Sequence, residues 1–226
     1  NSGFPGGSTA DDVGFIGALI DTMHANYNID LTRVYSCGFS AGGFMSHRLA
    51  CESTGRFAAI AAVSGTMSDA AFNSCAPSRA IPVMQIHGTA DGVVSYTGGI
   101  GGKGVDAIIN YWKGFDSCPG TALFTALPDT ASDNSSVEKY EYTPCSNCSK
   151  VILLKVINGG HQWPGTTGAL GGLGTINRDI NAGVEIWNFF KNFTTASCPS
   201  SVEEYETTSG EINVFPNPAA EMVYLE

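Results

Sequence analysis

Gly38-Phe39-Ser40-Ala41-Gly42 follows the apolar run Arg33-Val34-Tyr35-Ser36-Cys37 and leads into Gly43-Phe44-Met45-Ser46-His47-Arg48-Leu49-Ala50. This is a G-x-S-x-G pattern between a strand-like and a helix-like segment, the setting in which the short motif has mechanical meaning. A serine hydroxyl is a weak nucleophile at neutral pH. It needs exposure on a tight turn, a neighbouring base, and backbone N–H groups that can hold an oxyanion. The flanking glycines allow a strained turn and a close approach of helix to strand. Ser40 is therefore the candidate nucleophile.

Two further segments give the serine its partners. Ile81-Pro82-Val83-Met84-Gln85-Ile86 is a continuous apolar run that reads as a buried parallel strand, and His87-Gly88-Thr89-Ala90-Asp91-Gly92 follows it directly. Asp91 would project from the carboxyl edge of that strand. The run at 151–157 is also strand-like and leads into Asn158-Gly159-Gly160-His161-Gln162-Trp163-Pro164-Gly165. His161 in this loop is the first candidate for the base. His87, at the end of a buried strand, is the second, whereas His24 and His47 lie inside helical segments and read as surface or packing residues. The order Ser40, Asp91, His161 is that of the α/β-hydrolases, with each residue just past a strand on one sheet edge.

The rest of the chain agrees with an α/β fold and a mainly parallel sheet. Thr9 to Asp12 has capping-box spacing, and Val13, Ile16, Ile20, Met23 and Tyr27 then recur at helical spacing, giving a face that packs on a sheet. Strands are expected at 33–37, 57–63, 81–86, 137–142 and 151–157. Helices are expected at 43–51, 103–115 and 177–193, the last with Ile180, Val184, Ile186, Trp187 and Phe190 facing the core. The Gly-rich stretches at 98–104 and 165–174 lack the ending of a phosphate loop and read as loops near the cleft.

The chain has 226 residues, 43% of them hydrophobic and 14% charged, with a formal charge of −10. That suffices for one substantial core and argues against a nucleic-acid partner, which needs clustered Lys and Arg. No apolar run reaches the ~20 residues of a membrane-spanning helix. Seven cysteines favour an oxidising compartment. Cys145-Ser146-Asn147-Cys148 lacks the second ligand pair that zinc would need, so disulfide bonding is the better reading. The expected pairs are Cys51–Cys75 and Cys118 with Cys148 or Cys145. Cys37, in the strand beneath the serine, is expected as a buried free thiol. The chemistry implied by Ser40, Asp91 and His161 requires no metal and no organic cofactor.

Taken together, Asp11-Asp12-Val13-Gly14-Phe15-Ile16, the serine motif, His87-Gly88-Thr89-Ala90-Asp91-Gly92-Val93-Val94 and Gly159-Gly160-His161-Gln162-Trp163-Pro164-Gly165 resemble secreted polyhydroxybutyrate depolymerase-like and feruloyl esterase-like enzymes. The resemblance covers residues 8–193. It implies an α/β-hydrolase catalytic domain over 1–193, with Ser40 as nucleophile, Asp91 as the acid orienting the base, His161 as general base and acid, and the Ala41 amide as one oxyanion donor. It implies the Cys51–Cys75 disulfide as well, and a substrate-lining role for Trp163. Family members carry several strands and the second oxyanion donor ahead of the first helix. Only seven residues stand there in this chain, which is therefore expected to be an amino-terminally truncated enzyme.

From Thr194 the composition turns to Ser, Thr and Glu, a linker over 194–210. Residues 211–226, with Val214-Phe215-Pro216-Asn217-Pro218-Ala219-Ala220, resemble the start of the sorting domain that directs Bacteroidetes proteins to type IX secretion. The expected activity is that of a secreted serine esterase acting through an acyl-enzyme on feruloyl or acetyl esters of plant polysaccharide. A short-chain polyhydroxyalkanoate is the alternative substrate. A polymer-binding protein retaining a hydrolase scaffold, and a peptidase, are the alternatives of other classes.

Overall fold

A computed structural model describes residues 9–99, 102–168 and 171–196. Cys198, the sorting-domain resemblance at 211–226 and nearly all of the expected linker lie outside them. In chain order the elements are α1 (Asp12–Asn26), β1 (Tyr35–Phe39), α2 (Ala41–Glu52), β2 (Ala59–Val63), α3 (Asp69–Ser74) and β3 (Val83–Gly88). A two-residue ribbon follows, β4 (Gly98–Gly99) with β5 (Gly102–Lys103). The chain continues through α4 (Val105–Phe115), β6 (Leu123–Ala126), β7 (Ser136–Tyr142), β8 (Val151–Ile157) and α5 (Ala182–Phe190).

The main sheet runs β1-β2-β3-β8-β7-β6. β1, β2, β3 and β8 are mutually parallel, and β7 and β6 continue the sheet antiparallel. The apolar runs at 57–63 and 81–86 thus become central parallel strands covered on both faces, as their lack of polar alternation requires. Every residue of β2 and β3 is buried.

Alternation along the strands sorts the side chains into two layers. Ile60, Val83, Val151 and Leu153 face α2 and α4, where Leu49, Val105, Ile108, Ile109 and Trp112 meet them. Ala59, Ala61, Val63, Met84, Ile86, Leu154 and Val156 face α5, with Ile186, Phe189 and Phe190. Helix α2 lies close on β2 because Gly43 has no side chain: a Cβ there would stand 2.9 Å from Gly65 Cα and 3.3 Å from Ala62 Cβ.

Several expectations are corrected. Asp11, not Thr9, caps α1, its carboxylate accepting from the Gly14 amide at 2.9 Å. Val13, Ile16 and Ile20 pack against the core, but Met23 and Tyr27 are exposed. The last helix begins at Ala182 and not at 177, because Asn177 Oδ1 accepts from the Asp179 and Ile180 amides and folds that stretch into a turn. Asn181 then caps the helix through the Val184 amide. Val184 and Trp187 point to solvent, while Ile180, Ile186 and Phe190 are buried as expected. β6 and α3 have no counterpart in the sequence reading.

Disulfides join Cys51 to Cys75 and Cys118 to Cys145. Cys148 is also disulfide-bonded. Cys37 is the free cysteine among the described residues. It is exposed, not buried, because β1 is an edge of the described sheet, paired only with β2.

Candidate active site

The three candidate residues leave the same edge of the sheet. Ser40 immediately follows β1, Asp91 comes three residues after β3, and His161 four residues after β8. Since β1, β3 and β8 are parallel, their carboxyl ends coincide, and loops of 1–4 residues suffice to gather the side chains.

Ser40 occupies φ 53°, ψ −116°, a conformation that L-residues rarely adopt. It persists because its neighbours over-determine it. The Ser40 amide donates to Val63 O at 2.9 Å, and its carbonyl accepts from the Phe44 amide at 3.1 Å. Gly65 lies directly against it, a Cβ there falling 2.4 Å from Ser40 O. Gly38 has the same function on the other side, a Cβ there falling 2.4 Å from the Gly42 carbonyl carbon. The Ser40 side chain makes no capping hydrogen bond at the amino terminus of α2. The Ala41 amide therefore opens the helix with the partial positive charge that suits an oxyanion.

Asp91 is buried, and its two carboxylate oxygens divide the work. Oδ1 accepts from the Val93 and Val94 amides at 2.9 and 2.8 Å, which fixes the turn. Oδ2 accepts from His161 Nδ1 at 2.8 Å. Burial pushes this carboxyl up, but the hydrogen bonds from His161, Val93 and Val94 outweigh it and hold the group below the usual carboxylate range. Asp91 is thus an anion at neutral pH. The bond to Nδ1 leaves Nε2 of His161 as the nitrogen that can take up and return a proton.

The His161 loop is tied down on both sides. Its amide donates to Leu173 O at 2.7 Å, and the Gly160 amide to Thr175 O at 2.9 Å. The ring of Phe39, the residue before Ser40, lies 4.7 Å from the imidazole, which links the serine turn to the histidine loop. Among the described residues no hydrogen bond joins Ser40 Oγ to the ring; serine–histidine contacts in unliganded sites are commonly long and tighten with substrate.

The competing base is placed by its contacts. His87 lies inside the sheet, buried, with Nε2 at 2.8 Å from Val94 O and 3.5 Å from Asp91 Oδ2. Its ring nitrogens are both engaged, so it is not a presented imidazole. His47, expected at the surface or in packing, is completely buried and hydrogen-bonded to Gln85 and Trp112. Trp163 is half-buried and packs against the apolar layer beneath α5. Among the described residues no group of three or more His, Cys, Asp or Glu side chains is gathered as metal ligands would be. No described helix is long and apolar enough to cross a membrane.

A parallel sheet whose carboxyl edge carries a strained strand–helix serine, then a buried aspartate, then a histidine bonded to it is the arrangement of the α/β-hydrolases. The chain has the α/β-hydrolase fold. The solved acetyl xylan esterase from Aspergillus awamori superposes with a TM-score of 0.54 at 13% identity, over 80% of this chain and 67% of that one. Residues 8–113 match the phospholipase/carboxylesterase family model. The chain is 30% identical to a bifunctional acetylxylan esterase/xylanase of Neocallimastix patriciarum over 152 residues, 67% of this chain and 21% of that protein. It is 30% identical to feruloyl esterase B of Piromyces equi over 163 residues, 67% of this chain and 29% of that protein. A probable feruloyl esterase C of Aspergillus clavatus is 30% identical over 152 residues, covering 67% of this chain and 50% of the relative. The chain thus spans half or less of the length of these relatives.

Proposed function

We propose that this protein is a serine carboxylic-ester hydrolase that releases feruloyl or acetyl groups from plant polysaccharide. The observation that carries the reading is the 2.8 Å bond from His161 Nδ1 to a buried, ionised Asp91, at the sheet edge where Ser40 stands in its strained turn. In the mechanism, His161 Nε2 takes the Ser40 hydroxyl proton as Oγ adds to the ester carbonyl. The Ala41 amide holds the oxyanion. Collapse expels the alcohol, which leaves with the proton held on Nε2. Water then enters, gives its proton to Nε2 and attacks the acyl-enzyme, and the carboxylic acid departs as Ser40 Oγ recovers its proton. Asp91 holds the ring in its tautomer and stabilises the imidazolium. No step calls on a metal or cofactor.

The names of the three relatives supply the substrate class, and the two intact disulfides support function in an oxidising, extracellular setting. Type IX secretion rests on the resemblance of residues 211–226 alone. The reading is tested by supplying methyl ferulate, acetylated xylan and poly-3-hydroxybutyrate in parallel, with Ser40→Ala as control. Ferulate or acetate release that disappears in Ser40→Ala is expected. Release of hydroxybutyrate alone would move the substrate to polyhydroxyalkanoates. Turnover of none of the three, by folded protein, would favour a polymer-binding role.

A further inference from the structure

Beneath Asp91 runs a line of four polar side chains that the ester chemistry does not use. Gln85 and His87, two residues apart on β3, point to the same face of the sheet, towards His47 on α2 and Trp112 on α4. All four are buried at 1% exposure or less, inside the larger apolar layer. Trp112 Nε1 lies 3.1 Å from His47 Nδ1, and His47 Nε2 lies 2.9 Å from Gln85 Oε1. Gln85 Nε2 reaches Gly65 O at 2.9 Å and His87 Nδ1 at 3.1 Å, and His87 Nε2 lies 2.8 Å from Val94 O.

The two ends of this line fix its direction. An indole N–H can only donate, so His47 Nδ1 must be bare and its proton must sit on Nε2. That proton points at Gln85 Oε1, so the Gln85 amide turns both its hydrogens outward, one to Gly65 O and one to His87 Nδ1. His87 Nδ1 is then bare too, and the proton on Nε2 meets a backbone carbonyl, which can only accept. One arrangement satisfies every atom, and in it both imidazoles are neutral. Protonating either ring would set an N–H against an N–H inside an apolar layer, at the cost of an unmade buried hydrogen bond.

We propose that this Trp112–His47–Gln85–His87 relay locks His87 as a neutral Nε2–H donor and makes it a positioning residue for Asp91. Its proton holds the Val94 carbonyl, and Val94 in turn donates its amide to Asp91 Oδ1. The turn that aims the carboxylate at His161 is thereby fixed from inside the sheet. The lock also settles a competition. His87 Nε2 stands 3.5 Å from the same Oδ2 that receives His161, so a charged His87 would share the carboxylate. Held neutral, it leaves His161 as the one imidazole whose charge Asp91 stabilises. The branch to Gly65 O ties the same line to the segment packed under Ser40. The catalytic consequence rests on the proposed serine-esterase reading, whereas the relay itself does not.

The groups facing His87 agree with this state. Asp91 lies at its Nε2 side with His161 bonded to the same carboxylate oxygen, the Tyr96 ring meets it edge-on at 6.1 Å, and Lys155, its register partner on β8, holds its ammonium over Tyr96. Among the described residues, His47 is bonded to Trp112 and Gln85, with His87 further off. Burial pushes His87 below the usual histidine value and His47 down to about 4, the carboxylate and the hydrogen bonds opposing without reversing it.

The lock is read directly by side-chain 15N NMR of the 226-residue protein, which has four histidines, between pH 5.5 and 8.5. His47 and His87 should both remain neutral Nε2–H tautomers throughout. An imidazolium or an Nδ1–H tautomer at either position overturns the relay, whatever the enzyme's activity. The positioning role is read in His87→Leu, with kcat on a soluble ester expected to fall about ten-fold or more at little change in KM. The Nδ1 proton shared by His161 and Asp91 should shift at the same time. His87→Gln, whose amide nitrogen can stand where Nε2 stood, should recover most of the lost kcat. Parental kcat and an unmoved proton in folded His87→Leu would overturn it. If the parent hydrolyses no ester while the tautomers are as stated, the relay stands and the esterase reading falls.

Discussion

A Cβ on Gly88 would lie 2.2 Å from the carbonyl oxygen of Gly159, so the turn carrying Asp91 and the loop carrying His161 meet backbone to backbone. The Ala90 amide donates to Gly159 O and the Asn158 amide to Thr89 Oγ1, both at 2.9 Å, and hold the two loops in register. The histidine reaches the aspartate because these segments are bolted together before either side chain is considered.

Gly88→Ala forces this joint apart. The contact is with backbone, which cannot rotate away, so the fold should lose ~1–3 kcal/mol. Misplacement of the pair by a fraction of an ångström should cost kcat about 10–100-fold. Thermal unfolding and steady-state kinetics on the same preparation check both.

Gly65→Ala tests the serine turn in the same way. Its Cβ would press on Ser40 O, and on Phe44 N at 2.9 Å, at the start of α2. Displacement of the turn should lower kcat by about ten-fold or more, since the Ala41 amide, the proposed oxyanion donor, moves with it. Unchanged kcat would show that the strained turn tolerates the shift.

Much of this joint was legible in the sequence, and the reason is periodicity. Residues 57–63 and 81–86 are uninterrupted apolar runs, which only a strand buried on both faces can use. The glycines and polar residues after them marked where chemistry could be placed. β6 was missed because all four of its residues are exposed, so burial imposes no pattern on them. Val184 and Trp187 depart from the core-facing pattern because apolar residues on a surface helix need not face the core. The relay was illegible for another reason: His47 and Gln85 stand 38 residues apart, and no spacing rule joins them.

Asp116 provides a pH test unrelated to catalysis. It is fully buried, with a carboxylate that accepts from the Ile81 amide and the Ser149 hydroxyl. Burial raises it to about 6, against the lowering effect of Ser149, Ile81 and Arg79. The folded pKa exceeds the unfolded one, so the folded state holds the proton more tightly. Stability from this group is present below about pH 4, is lost as pH rises to about 6, and stays lost above. Asp116→Asn should therefore gain on the order of 1 kcal/mol over the parent at pH 7.5 and nothing at pH 4, read by urea unfolding. A gain independent of pH would contradict the assignment.

The cysteines predict a defined oxidation pattern. Cys51–Cys75 closes a loop of 24 residues and Cys118–Cys145 one of 27. Each should contribute about 3 kcal/mol in the chain-entropy account, so reduction should lower Tm clearly. Alkylation of native protein should label Cys37 and spare the bonded cysteines. In protein from an oxidising host, free Cys51 would count against the first pair and free Cys118 against the second.

The central claim is that Ser40 is acylated with His161 as base. Mass spectrometry of protein quenched during turnover of a slow aryl ester tests it most directly. One acyl group should be found on Ser40, and Ser40→Ala and His161→Ala should each lose turnover by on the order of 10³-fold or more, the double variant being little worse than either. An unmodified Ser40 in folded, turning-over protein, or an acyl group carried by another residue, would contradict the account.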